Sequence, residues 1–420
     1  MYGLRGRACS RHYVKASKMQ SRRRLRKQSL RLLCQCGKKK QNSMSAEWEL
    51  LVGGQQAFPV ILEEIRRACQ SIYINMFIWR NDSIGKKLAQ MLLEAADRGV
   101  KVQIVKDRYG ILCEYSEEDQ SSFFHKDPGA WETVEAIAMK AMYQPGIFLK
   151  PFSRGDGVLL ARMQAHPNIR IQSGTYRRDH SKFYIIDERI VILGGINVED
   201  KENGADRQGH RYLDYMVRVD STEAVQALRR ALDGEPGSGE GMFGLNLPGR
   251  PECFGIRRRY TEMIDAAQGS LSIVMAYIMP LNDIMQALER ALDRGVKLRL
   301  LIPAKANYLN ASNRASALQL YDYARKHGAR AEIYLAGVMT HIKALVSEQT
   351  IAIGSANMTG KAFVQLGEMN IFVPNDGSTF ARSVQESFQT LFDSAERVTD
   401  RRQLRHGKLP LFLEKCTMSR

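Results

Sequence analysis

No stretch of this 420-residue chain approaches the roughly 18 to 20 consecutive apolar residues needed to cross a bilayer as a helix. The longest apolar runs, near residues 72–79 and 271–281, are of strand length. The amino terminus has no apolar stretch of signal length, so a secretory signal is not expected. The seven cysteines follow no regular spacing, and their odd number fits neither a disulfide framework nor a zinc site. A reducing compartment is the expectation. Acidic residues are missing from the first 46 positions, which hold 14 Lys or Arg; the first acid is Glu47. Of the net charge of +17, only +3 therefore belongs to residues 47–420. A nearly neutral body lacks the basic surface expected of a nucleic-acid enzyme, so no nucleic-acid partner is expected.

The basic residues 1–46 have three readings. They can be a solvated, disordered arm, a tether to anionic lipid at ~1 kcal/mol per basic residue near the surface, or a result of start-site choice, since Met44 directly precedes globular sequence.

Beyond the tail, the chain repeats itself. Residues 95–108 (AADRGVKVQIVKDR) and 291–304 (ALDRGVKLRLLIPA) each join the end of an amphipathic helix, a glycine stop and an apolar strand. Another apolar strand precedes each, at 71–79 and 270–279, and a His-x-Lys segment follows each. The order strand, helix, strand, motif strand thus occurs twice, which predicts an α/β fold with largely parallel pairing. The Asp-Arg-Gly-Val-Lys elements lie 196 residues apart but the motif histidines only 161, so the first half carries about 35 extra residues, placed within 111–170. Residues 130–148 there are helical in pattern and are read as a packing helix, with a lid or lipid-facing helix as the alternative. The predicted organisation is a tail (1–46), a first half (47–232), a Gly/Pro-rich linker loop (233–250), a second half (251–400) and a carboxy-terminal tail (401–420).

The two motifs are Asp179-His180-Ser181-Lys182 with Asp187 and Gly194-Gly195-Ile196-Asn197, and Thr340-His341-Ile342-Lys343 with Glu348 and Gly354-Ser355-Ala356-Asn357. On a strand, residues two apart share a face, so each His and Lys point the same way. This set suits displacement at a phosphodiester. Lys182 and Lys343 can hold the phosphate and the charge that grows on it, and Asn197 and Asn357 can donate to the same oxygens. A neutral imidazole can attack phosphorus, while a second, protonated one gives its proton to the leaving alkoxide. One histidine cannot do both at once, so a duplicated motif with one shared active site is the economical arrangement. Each histidine needs a carboxylate to fix its tautomer; Asp214, 34 residues past His180, and Glu368, 27 past His341, are the candidates. Asp187 and Glu348 are counted with the repeated catalytic set, although their place in hairpin turns favours a role in the loop. A metal site is not expected, because lysine is no ligand at neutral pH and no Cys/His/carboxylate cluster is visible.

These residues resemble the phospholipase D superfamily, whose signature is His-x-Lys-x4-Asp followed by Gly-[Gly/Ser]-x-Asn. The first copy matches throughout. The second carries Glu348 for Asp and reaches Gly354 one residue sooner. Residues 48–58, 75–79 (NMFIW), 81–88 (NDSIGKKL) and the stretch from Arg98 to Gly110 are most similar to bacterial cardiolipin synthases. The resemblance implies a duplicated phospholipase D-like fold with two mixed or mostly parallel sheets flanked by helices. It implies no cofactor and no metal. It also implies transfer of a phosphatidyl group from one phosphatidylglycerol, through a phosphohistidine, to a second, with His180 as nucleophile and His341 as acid and base. The expected partner is then anionic phospholipid, with peripheral attachment at the cytoplasmic face of the cell membrane. A hydrolase using water, or a nuclease, would share the same motifs, and a scaffold that has lost activity would not be expected to keep both intact. If the tail is a tether or a solvated arm, removing residues 1–43 leaves the fold intact and at most weakens vesicle binding; loss of the cooperative melt followed by circular dichroism would show the tail to be part of the fold.

Overall fold

The computed structural model describes residues 46–116, 122–124, 134, 157–204, 209–235, 237 and 241–418. All fall in one compact unit spanning Ala46–Arg420. The basic tail up to residue 45 and the helix expected at 130–148 lie outside the described residues, apart from residue 134.

The first half contains β1 (Glu47–Val52), α1 (Gly54–Arg67), β2 (Ser71–Met76), α2 (Ser83–Asp97), β3 (Lys101–Lys106), α3 (Arg108–Ser116), α4 (Gly157–Ala165), β4 (Ile169–Gln172), β5 (Lys182–Ile186), β6 (Ile190–Gly194), β7 (Tyr212–Leu213), β8 (Tyr215–Asp220) and α5 (Thr222–Asp233). The second contains β9 (Phe243–Asn246), α6 (Ile256–Ala266), β10 (Ser270–Met275), β11 (Ile278–Met279), α7 (Asn282–Asp293), β12 (Lys297–Pro303), α8 (Asn310–His327), β13 (Ala331–Ala336), β14 (Met339–Thr340), β15 (Lys343–Ser347), β16 (Thr350–Gly354), β17 (Met358–Thr359), α9 (Gly360–Val364), β18 (Glu368–Pro374), α10 (Thr379–Ser394), β19 (Glu396–Arg397) and α11 (Lys408–Met418).

Two large sheets follow the duplication, in the orders β1-β8-β6-β5-β2-β3-β4 and β19-β13-β12-β10-β15-β16-β18-β9. Both are mixed. The parallel part is confined to β2, β3 and β4 in one and β10, β12 and β13 in the other, where helical crossovers join the strands. The His-Lys strands β5 and β15 return through hairpins, which force antiparallel pairing. Both strands are buried on both faces. Phe183, Ile185 and Val217 of the first sheet share one apolar core with Ala344, Val346 and Ile371 of the second. The opposite face of each sheet buries its own separate core under its helices. The sheets therefore pack on each other, with helices outside.

Two segments expected to be loop and tail hold regular structure. The expected linker 233–250 contains β9, whose residues are all buried and which pairs with β18; four residues between glycines and prolines carry too little periodicity to show a strand. The expected carboxy-terminal tail contains α11, which is tied to α8. The Glu414 carboxylate accepts the Ala311 and Ser312 backbone N–H groups at 3.1 and 2.6 Å, satisfying the open end of that helix.

The acids of the two motifs act within this frame, at the hairpins. Asp187 and Glu188 take left-handed φ values of 51° and 50°, the two-residue reversal that suits strand twist. The Asp187 carboxylate accepts the N–H groups of Cys69, Gln70 and Ser71 at 2.8, 2.7 and 3.0 Å, fastening the hairpin to the start of β2. Glu348 accepts those of Gln268, Gly269 and Ser270 at 2.5, 3.3 and 3.2 Å, at the start of β10. The second hairpin is one residue shorter and its acid one methylene longer, so the same three amides are reached. Asp187 and Glu348, counted with the repeated catalytic set, thus lie at the far end of their strands from the His-Lys pairs, where they fasten the hairpins. Asp187→Ala should cost ~1–3 kcal/mol in urea unfolding, the range for hydrogen bonds to a charged group, while turnover at a temperature where the variant is folded stays within about threefold of the parent. A variant of unchanged stability and lost turnover would return Asp187 to the chemistry.

Candidate active site

His180 and Lys182 enter β5, and His341 and Lys343 enter β15. Each ammonium turns back to donate to the carbonyl of its own histidine, Lys182 to His180 and Lys343 to His341. Both lysines are fully buried. The rest of each site comes from the other half of the chain. The His180 backbone N–H donates to Gly367 O at 2.7 Å, and the Gly367 N–H donates to Arg178 O at 2.8 Å. Symmetrically, His341 N–H donates to Leu213 O at 2.7 Å, and β14 pairs with β7 in parallel.

That backbone exchange decides which carboxylate meets which imidazole. His180 Nδ1 donates to Glu368, 3.1 Å from each oxygen, and His341 Nδ1 donates to Asp214 at 2.8 Å. The sequence placed each carboxylate after its own half's histidine; the structure crosses them. The stretch from Tyr212 to Asp220 is divided at Asp214. Its first part, β7, joins the other half, while β8 continues the home sheet. A carboxylate only accepts, so both Nδ1 atoms carry the proton and both Nε2 atoms are left for substrate.

The two halves are not chemically equal. Glu368 also accepts the hydroxyl of Ser355. The matching position in the first copy is Gly195, where a Cβ would lie 2.2 Å from Asp214 Oδ2. Asp214 takes Lys343 instead, at 3.1 Å. Burial alone would raise the proton affinity of Asp214, but the Lys343 charge and the His341 ring outweigh it and hold the carboxyl below its ordinary value. Burial, reinforced by the Lys182 and Lys343 charges, takes His180 from its ordinary 6.5 down to about 4, against the pull of Glu368. His180 is therefore neutral at physiological pH, as a nucleophile must be. Burial also lowers Lys182 to about 7; an anionic phosphate beside it would restore the charge. Lys343, from the second half, acts on both His180 and Lys182, so the two motifs share one electrostatic environment.

Asn197 and Asn357 are both buried. The Asn197 side-chain oxygen accepts the Ile78 N–H at 3.3 Å, and the Asn357 oxygen has no partner among the described residues. The sequence missed Glu202, which is fully buried with one oxygen 3.4 Å from His341 Nδ1. It lies five residues after Asn197, where the second copy has Ala362, so comparing the repeats could not find it. Glu202, Asp214 and His341 have donor atoms within 4.8 Å of one another, a spacing that could hold a cation. A metal would have to displace the Lys343 ammonium from Asp214, which makes this a poor metal site.

The family described as "Cardiolipin synthase, PLD-like domain" matches residues 61–234 and 260–392. The chain belongs to this phospholipase D-like family. It is 26% identical to cardiolipin synthase B of Salmonella typhi over 395 residues, covering 89% of this chain and 85% of that one. Its identity to a cardiolipin synthase of Geobacillus sp. (strain WCH70) is also 26%, across 80% of this chain and 64% of the relative. In fold it is similar to a phosphatidylserine synthase from Haemophilus influenzae Rd KW20, with a TM-score of 0.62 at 11% identity over 89% of this chain and 92% of that one. A polyphosphate kinase from Porphyromonas gingivalis follows at 0.54 and 15%, over 85% of this chain and 49% of the kinase. The chain is thus a phosphatidyltransferase of the phospholipase D superfamily.

The depressed proton affinity of His180 has a kinetic consequence. If His180 is the group that attacks phosphorus, its protonation removes the lone pair needed, and kcat/KM should fall as pH drops through about 4. An acidic limb centred near the ordinary histidine value in a pH–rate profile would exclude His180 as the buried neutral base.

Proposed function

We propose that the enzyme makes cardiolipin from two molecules of phosphatidylglycerol. His180 Nε2 attacks phosphorus, the bond to the departing glycerol oxygen breaks, and His341 gives that oxygen its proton. The hydroxyl of a second phosphatidylglycerol then loses its proton to His341 and attacks phosphorus, breaking the P–N bond. Lys182 and Lys343 carry the charge on the phosphate, with Asn197 and Asn357 as further donors. No metal or other cofactor enters this scheme. The observation that carries the reading is the pair of imidazoles, each held by the opposite half's carboxylate in a buried, unequal setting. The curated relatives named cardiolipin synthase support the choice of substrate.

The site would draw its substrate from anionic phospholipid at the cytoplasmic face of the membrane, with the protein attached peripherally. No helix among the described residues is long and apolar enough to cross a membrane. Supporting a surface attachment, α11 exposes Leu409, Phe412 and Leu413 beside Lys408 and Lys415, apolar and basic groups suited to an anionic interface. Water in place of the second lipid would make the enzyme a hydrolase, and the near-neutral body gives little support to a nuclease.

Incubation with phosphatidylglycerol vesicles and mass spectrometry of the products tests the scheme. Cardiolipin and free glycerol are expected, and His180→Asn and His341→Asn should each lower turnover by at least ~10³-fold. Phosphatidic acid as the main product would make the enzyme a hydrolase, and substantial activity in either variant would remove the two-histidine scheme.

A further inference from the structure

We propose that Glu202 is a positioning residue that keeps the transferable proton on His341, and so makes His341 the acid and base and leaves His180 as nucleophile. The inference rests on the phosphatidyl-transfer reading above and names what makes its two histidines different.

Backbone contacts place Glu202 firmly. Its N–H donates to Glu199 O at 3.1 Å, and its carbonyl accepts the Gly54 N–H at 3.0 Å. A Cβ on Gly54 would lie 2.3 Å from that carbonyl, so the helix start and the turn are pressed together. The side chain is thereby aimed into the interior. Neither of its oxygens has a hydrogen-bond partner of ordinary length among the described residues. His341 Nδ1 lies 3.4 Å from one of them and already donates to Asp214 at 2.8 Å.

The groups around this carboxylate leave His341 as its counter-charge. Lys343 is held by Asp214. Within Glu202's own turn, Lys201 and Glu199 pair at 3.2 Å, and Arg80 also pairs with Glu199, at 2.7 Å. Tyr212 and Tyr277 place their rings beside His341 without offering charge. Burial, with the Asp214 and Glu199 charges, holds the Glu202 carboxyl above its ordinary value, and the His341 ring is the group that pulls against that shift. With the transferable proton on the ring, Nδ1–H lies between two carboxylates and Nε2–H is free for the leaving alkoxide. His180 has Glu368 as its carboxylate partner, and Glu368 is already occupied by the Ser355 hydroxyl. Ala362 at the matching place in the second copy confirms that no counterpart of Glu202 serves His180.

In the balance of the first step, the bond from His180 Nε2 to phosphorus forms, the P–O bond to the leaving group breaks, the proton passes from His341 Nε2 to that oxygen, and the neutral His341 left between the two carboxylates is ready to take the acceptor's proton. A leaving group that needs no proton bypasses Glu202. Glu202→Gln keeps the shape and removes the charge. It should lower glycerol release from phosphatidylglycerol by about 10- to 100-fold, part of the range for general-acid catalysis, and lower p-nitrophenol release from phosphatidyl-p-nitrophenol by less than about threefold. Glu202→Asp, which keeps the charge, should recover much of the glycerol release. Equal loss with both leaving groups, or no loss with either, would overturn the proposal. A direct readout needs neither turnover nor a variant: ¹⁵N-edited NMR of the native full-length protein, with His341→Asn for assignment. At the pH of greatest activity His341 should carry protons on both ring nitrogens and His180 on one, and a singly protonated His341 would overturn the proposal even if Glu202→Gln does not fold. Failure to release glycerol or p-nitrophenol by the native enzyme would instead count against the transfer reaction, with the NMR result still deciding the role of Glu202.

Discussion

Two short backbone exchanges between the halves hold the rest of the site in place. The chain before His180 is hydrogen-bonded to Gly367, and the chain before His341 is hydrogen-bonded to Leu213. Each exchange sits one residue from a carboxylate, so docking the halves delivers Glu368 to His180 and Asp214 to His341. Tautomer, ring orientation and the burial that neutralises His180 all follow from that docking. The shared apolar core between the two sheets supplies the adhesion that fixes it.

Much of this was legible in the sequence because it is local and repeated. The strand–helix–strand order, the His-Lys pairs and the Gly-x-x-Asn turns each occur twice, and each is written in a few adjacent residues. Asp214 and Glu368 could be named as the orienting acids because each stands near the start of an apolar strand. Their partners could not be named, since partner choice depends on how two sheets meet, which no local pattern records. The same limit explains β9, a short buried strand among glycines, and α11, whose attachment runs through Glu414 at the open end of α8 and Met418 packed near Leu309. Glu202 was invisible for a different reason: it belongs to one copy only, and a search by repetition passes over what is not repeated.

Duplication supplies two like His-Lys sets, whereas the proposed transfer through a phosphohistidine needs two different imidazoles. The structure breaks the symmetry with small means. Glycine stands at 195 and serine at 355, so one carboxylate is left to a lysine and the other receives a hydroxyl. The hairpins, by contrast, differ in length and in their acid yet keep the same three-amide clasp. Variation is absorbed where it would only move the frame, and retained where it alters charge beside a histidine.

The crossed carboxylates also bear on synthesis of the chain at the ribosome. Domains emerge amino end first and can fold before the rest has been made. A first half folded alone would present His180 with no acceptor for its Nδ1 proton, because Glu368 comes nearly two hundred residues later. It would hold one imidazole and one lysine without the carboxylate that orients the ring. The crossed arrangement is therefore complete only once β18, the strand that begins with Glu368, has been made.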